Sequence, residues 1–174
     1  MGTSVAHNTY FGFLFRDGGG DVGGIGLAFM LMCGSEAVFM ILIPGLTKKF
    51  PAEKLILFAM ILSACRFGFY AFGPSANILL GTFFLQGIAN GILLVEMIKY
   101  VNYLVKPEYS SAAIAVFYAV TSNLSVIVCN FIGGIILDAA GARMVYAFFS
   151  LYNAAAVILY ITFGLYKDGK NQKM

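Results

Sequence analysis

The chain has 174 residues, of which 60% are hydrophobic and 11% charged. A soluble domain carries roughly 25% charged residues. The charges here cannot cover a surface that faces water, so lipid is the solvent for most of the chain. The length suits a single transmembrane domain, 1–174, and leaves no room for a separate soluble catalytic module. Cys33, Cys65 and Cys129 lie in apolar runs at irregular spacing, which argues against a disulfide framework or a zinc site. The sequence holds no serine–histidine–acid set, HExxH, Cys/His cluster or credible phosphate loop, since Gly18–Gly20 are flanked by Asp17 and Asp21. An enzyme, a metal, a cofactor and a nucleic-acid partner are therefore not expected.

In chain order, the first apolar run, 4–15, falls short of the roughly 20 residues that cross the hydrocarbon core. It reads as the remaining part of a helix whose other half is absent from this chain, and its lone His7 reads as incidental. Five longer runs follow, 25–46, 55–73, 77–98, 111–137 and 144–166, each predicted to be a spanning helix. A barrel strand would instead alternate over about 10 residues. The fold class is thus an all-α membrane protein, about five full transmembrane helices plus one partial N-terminal helix. Pro44, Pro51, Gly73–Pro74, Pro107 and Gly141 punctuate the runs as helix stops. Residues 167–174 form a short tail.

The connections alternate in charge. Lys48, Lys49 and Lys54 follow the first full span, Lys99 and Lys106 the third, and Lys167, Lys170 and Lys173 the last. The other connections hold only Arg16 and Arg143. By the positive-inside rule the lysine-rich loops and the C-terminus are cytoplasmic, in a multi-pass protein of the cell membrane.

Two charges lie in mid-span, Glu36 and Arg66. Either would cost at least about 2.5–3.5 kcal/mol at the bilayer centre, so both are expected to face the bundle interior. Each lies about ten residues from the lysine end of its helix, roughly 15 Å deep at 1.5 Å per residue. A hairpin folded about the Lys48–Lys49 loop brings them to equal depth, but depth does not fix whether they touch. On the next helix Gln86 and Asn90 are four apart and share a face, a candidate cavity lining. Gly87 and Gly91 beside them form a small-xxx-small stripe suited to close helix approach. Glu96, three before Lys99, suits a local ion pair or a gate contact at the cytoplasmic end. Asn123, near mid-depth on the fourth full span, is a further candidate solute contact. Tyr118, Ser122 and Ser125 form a separate stripe there.

The order and spacing of Asn8-Thr9-Tyr10, Gly23 to Gly26, Gly34-Ser35-Glu36 with Phe39 and Met40, Lys48-Lys49, Arg66, Leu85-Gln86-Gly87, Lys99-Tyr100, and Gly134 with Asp138 and Gly141 resemble the C-terminal six-helix half of the major facilitator superfamily, in its lactose-permease and nucleoside–proton-symporter branch. The resemblance implies that 4–15 is part of helix seven and that the five full spans are helices eight to twelve. It further implies that Glu36 serves substrate recognition or proton coupling and that Arg66 serves proton coupling. Gln86 stands where lactose permease has a histidine, and Ala89 where it has a proton-carrying glutamate, a departure from the lactose-type mechanism. The implied function is secondary active transport of a small polar solute, sugar- or nucleoside-like, coupled to protons. The partners would be the lipid bilayer and either the missing N-terminal half or a second copy. The competing expectation is a truncated, non-transporting membrane protein or scaffold subunit.

Overall fold

A computed structural model describes residues 2–47 and 50–165. Lys48 and Lys49, and the tail 167–174 with its three lysines, lie outside the described residues. Within them every regular element is helical. These elements are α1 (Gly2–Asp17), α2 (Val22–Leu46), α3 (Ala52–Ala71), α4 (Ala76–Leu104), a short 3-10 turn (Pro107–Tyr109), α5 (Ser110–Tyr118), a π-helical turn (Ala119–Leu124), α6 (Ser125–Ala140) and α7 (Ala142–Thr162). Among the described residues, five stretches are long and apolar enough to cross a membrane: α2, α3, α4, the continuous stretch Pro107–Ala140, and α7. At 16 residues, α1 is about 24 Å long and falls short of the roughly 30 Å hydrocarbon core.

Local chemistry sets the ends. The Asp21 carboxylate accepts from the Gly24 N–H at 2.8 Å and caps α2. Pro51 precedes α3. Gly141, at φ +82°, makes the sharp corner between α6 and α7, a conformation that a β-carbon would strain. At the same end the Ala76 N–H donates to the Gly18 carbonyl at 3.0 Å, tying the α1–α2 connection to the start of α4.

The helices pack as α2 on α4, α3 on α4 and α7, and α6 on α7, with α1 touching α2, α4, α6 and α7. Around α1 lies an aromatic core that includes Phe11, Phe67, Tyr70, Phe83, Tyr146 and Phe149. Nearer the lysine end a second, aliphatic core joins Ile43 of α2, Leu55, Ile56 and Ala59 of α3, and Ala89, Ile92 and Leu93 of α4. The outward faces stay apolar. Ile41 is 80% and Phe131 71% exposed, as suits helices whose solvent is lipid or another membrane segment.

α2 and α4 approach closely, and Gly87 permits it. A β-carbon there would lie 2.5 Å from the Met32 carbonyl oxygen and 2.7 Å from the Glu36 nitrogen. At Gly91, one turn on, the nearest atom would be the Glu36 carbonyl oxygen at 3.4 Å. The glycine stripe therefore lets the backbone of Glu36 rest directly on α4. Gly87→Ala is expected to destabilise the chain by about 1–3 kcal/mol, the usual range for overpacking. Gly91→Ala should cost less, and Gly26→Ala, with open space around it, should be neutral. Thermal unfolding of the three variants in detergent checks that order.

Candidate solute site

A cavity of about 150 Å³ opens where α1, α2, α4 and the π turn converge, lined by Ser4 and Val5 of α1, Glu36 of α2, Asn90 and Leu94 of α4, Tyr118 of α5 and Ser122 of the π turn. Each wall has a local cause. The Gly87 contact seats Glu36 on α4, and Asn90, one residue before Gly91, stands beside its carboxyl as a polar neighbour. Both side chains are half-buried. The cavity thus offers a carboxyl, an amide and three hydroxyls, with an aromatic ring and two aliphatic side chains.

Arg66 is not on this cavity. It is 5% exposed, and its Nη1 donates to the Gln86 Oε1 and to the Tyr70 hydroxyl at 3.4 Å. The guanidinium also lies over the rings of Phe67, 4.6 Å from its centroid, and Tyr70, 5.2 Å from its centroid. These are neutral oxygens and negative ring faces. Gln86 uses its other end as well, donating from Nε2 to the Ser4 carbonyl at 3.3 Å. It is 1% exposed and acts as a bridge behind the cavity wall, not as lining.

Glu36 and Arg66 thus both pack on α4 near Gln86 and Gly87 but meet different partners there. Gln86 and Gly87 are consecutive, so their directions differ by about 100°. The first meets Arg66 and the second meets the Glu36 backbone. Ser4 belongs to both sides, lining the cavity and accepting from Gln86. The Tyr70 and Thr82 hydroxyls, 2.8 Å apart, extend the network.

Among the described residues, the one ion pair joins Lys99 Nζ to Glu96 Oε1 at 2.7 Å. The Glu96 side chain is fully buried and that of Lys99 is 46% exposed. Asn123 is exposed and off the cavity, whereas its neighbour Ser122 is on it.

The model of the Major Facilitator Superfamily matches residues 2–173. The chain belongs to the major facilitator superfamily. It is 34% identical to a protein named maltose permease from Geobacillus stearothermophilus over 159 residues, 91% of this chain and 40% of that protein. It is 28% identical to the uncharacterized transporter YwbF of Bacillus subtilis (strain 168) over 169 residues, 97% of this chain and 42% of that protein. The chain therefore spans about two-fifths of the length of these relatives. No solved structure matches it.

Reading the sequence of this facilitator protein passed over several residues that the structure brings to prominence. His7 is fully buried. Its Nδ1 shares a hydrogen bond of 2.7 Å with the Tyr146 hydroxyl, and the rings of Phe11, Phe67, Tyr70, Phe83 and Tyr146 surround it. The signal was its i,i+4 relation to Phe11, but the other rings come from α3, α4 and α7. Glu53, in the first turn of α3, is 2% exposed, and its backbone carbonyl accepts from the Tyr160 hydroxyl at 3.3 Å. Ser4, Val5 and Leu94 carried no signal beyond apolar or small character.

The Arg66–Gln86 contact yields a stability test. Gln86→Leu leaves a buried guanidinium without its nearest acceptor and is expected to cost at least about 1–3 kcal/mol. The Arg66→Met/Gln86→Leu double variant should be more stable than the sum of the single losses implies, because no charge is then stranded. Thermal unfolding of all four proteins gives the coupling.

Proposed function

We propose that this chain supplies one wall of a secondary transporter for a small polar solute, sugar- or nucleoside-like, moved together with protons. The observation that carries the reading is the cavity in which Glu36, Asn90, Ser122 and Tyr118 face a common space. A carboxylate and an amide accept from and donate to solute hydroxyls, and an aromatic ring covers the less polar face of a sugar or base. Facilitator-type transporters hold their solute near the midplane between two halves and rock one half against the other. The chain spans about two-fifths of its relatives' length, so the site is proposed to work with a second six-helix half, either an N-terminal half or another copy. The name of the Geobacillus relative makes maltose the first solute to try.

In this reading Glu36 is the solute- and proton-facing acid. Arg66 holds the wall behind it through Gln86 and Ser4. The lysine-bearing loops face the cytoplasm, which puts the Glu96–Lys99 pair, its acid buried and its lysine half-exposed, at the inner end of α4.

Uptake of labelled maltose and of labelled nucleosides, with the companion half supplied, tests the proposal. Glu36→Gln is expected to reduce uptake by roughly tenfold or more, the equivalent of losing about 1.4 kcal/mol of interaction. Asn90→Ala should weaken it in the same direction, and Gly26→Ala should leave it unchanged. Wild-type uptake in both site variants would contradict the assignment of the cavity.

A further inference from the structure

The stretch Pro107–Ala140 carries one irregularity in its middle, and that irregularity forms part of the cavity wall. Residues Ala119–Leu124 are wound as π-helix, and the Ser125 N–H reaches back five residues to the Val120 carbonyl. Single π turns inside α-helices contain one extra residue and are frequent at functional sites. Neither proline nor glycine occurs between Ser110 and Ile132, so the usual causes of a helix irregularity are missing. Hydroxyl groups take their place. Thr121 Oγ1 donates to the Phe117 carbonyl at 2.8 Å, and Ser125 Oγ donates to the Val120 carbonyl at 3.1 Å. Such back-bonding loosens and bends a helix.

The two sides of the turn are held unequally. On α6, Cys129 is fully buried, and the Asn130 carbonyl accepts from the Tyr10 hydroxyl at 2.6 Å. α5 has no buried residue and packs on α4. A change in the turn therefore moves α5 while α6 stays on α1.

We propose that the π turn is a register joint that determines which side chains the fourth membrane-spanning stretch, Pro107–Ala140, presents to the cavity. In the π form these are Tyr118 and Ser122. Closing the turn to α-helix, with α6 fixed, advances the chain before it by one residue, a rotation of about 100° and a shift of about 1.5 Å. Ala119 and Asn123 then take the places of Tyr118 and Ser122. A ring and a hydroxyl are exchanged for a methyl and an amide, so the joint sets specificity at a wall opposite Glu36. That consequence rests on the cavity being a solute site, but the register change itself does not.

The test uses the full chain in cell membranes, with the exposed Cys33 and Cys65 replaced by alanine and the buried Cys129 kept. Ser122→Cys and Asn123→Cys are labelled singly with a water-soluble methanethiosulfonate, as are Tyr118→Cys and Ala119→Cys. Each pair is measured in three backgrounds: the parent, a deletion of Val120 that removes the extra residue, and Thr121→Ala/Ser125→Ala, which removes the hydroxyls at full length. In the double alanine variant, at full length, the ratio of labelling at 122 to that at 123, and at 118 to that at 119, is expected to fall severalfold. In the deletion, which closes the turn by shortening the chain, α5 keeps its register and the 118-to-119 ratio is expected to stay at the parent's value. Ratios in the double alanine variant equal to the parent's, or a 118-to-119 ratio that falls in the deletion, would overturn the joint. Labelling requires no transport, and maltose is added in a separate arm. If maltose gives no protection at position 122 while the ratios still fall, the joint stands and the solute reading falls.

Discussion

A guanidinium enclosed by helices is cut off from water, and most of the arrangement around Arg66 answers that constraint. Removing such a charge from water costs several kcal/mol even after relaxation, so its hydrogen-bonding and charge must be met from within. Here a glutamine oxygen, a tyrosine hydroxyl and two ring faces meet part of that need, and Nε has no hydrogen-bond partner among the described residues. Each partner is fixed in turn. Gln86 is held through its other end by the Ser4 carbonyl, and Tyr70 is held by Thr82. One buried charge thereby ties α3, α4 and α1 together, and the tie ends at a residue that lines the cavity.

Because these neutral groups take up Arg66, Glu36 is not consumed in a salt bridge. Its backbone is pressed against α4 at Gly87, and its carboxyl turns toward Asn90 and the cavity. The two mid-span charges thus divide the work across a single helix, the cation behind the wall and the acid on it. Loss of the glycine contact would move the acid, and loss of the glutamine bridge would move the wall.

Much of this was legible in the sequence. Hydropathy over runs such as 25–46 and 77–98 reveals helices because the cost of an unpaired backbone in lipid leaves little alternative. The Gly87–Gly91 stripe reads as close packing because a missing β-carbon has few other uses in an apolar helix. Rotation about the helix axis is harder to read. Depth placed Glu36 and Arg66 level, but only the structure shows that Arg66 meets Gln86 while the Glu36 backbone rests on Gly87. Asn123 and Ser122 were separated by the π turn, a one-residue change that leaves hydropathy unaltered. His7 was underread because four of its five ring neighbours lie 60 or more residues away in the chain, on other helices.

The claim on which the rest turns is that the two charges take separate partners on α4, with Glu36 facing Asn90 and Arg66 facing Gln86. Cysteine crosslinking in native membranes measures this directly, using a short bifunctional thiol reagent on the pairs 36/90, 66/86 and 36/66. Efficient crosslinking of the first two pairs, with 36/66 at background, is the expected pattern. A dominant 36/66 crosslink would place the acid against the guanidinium and contradict the account.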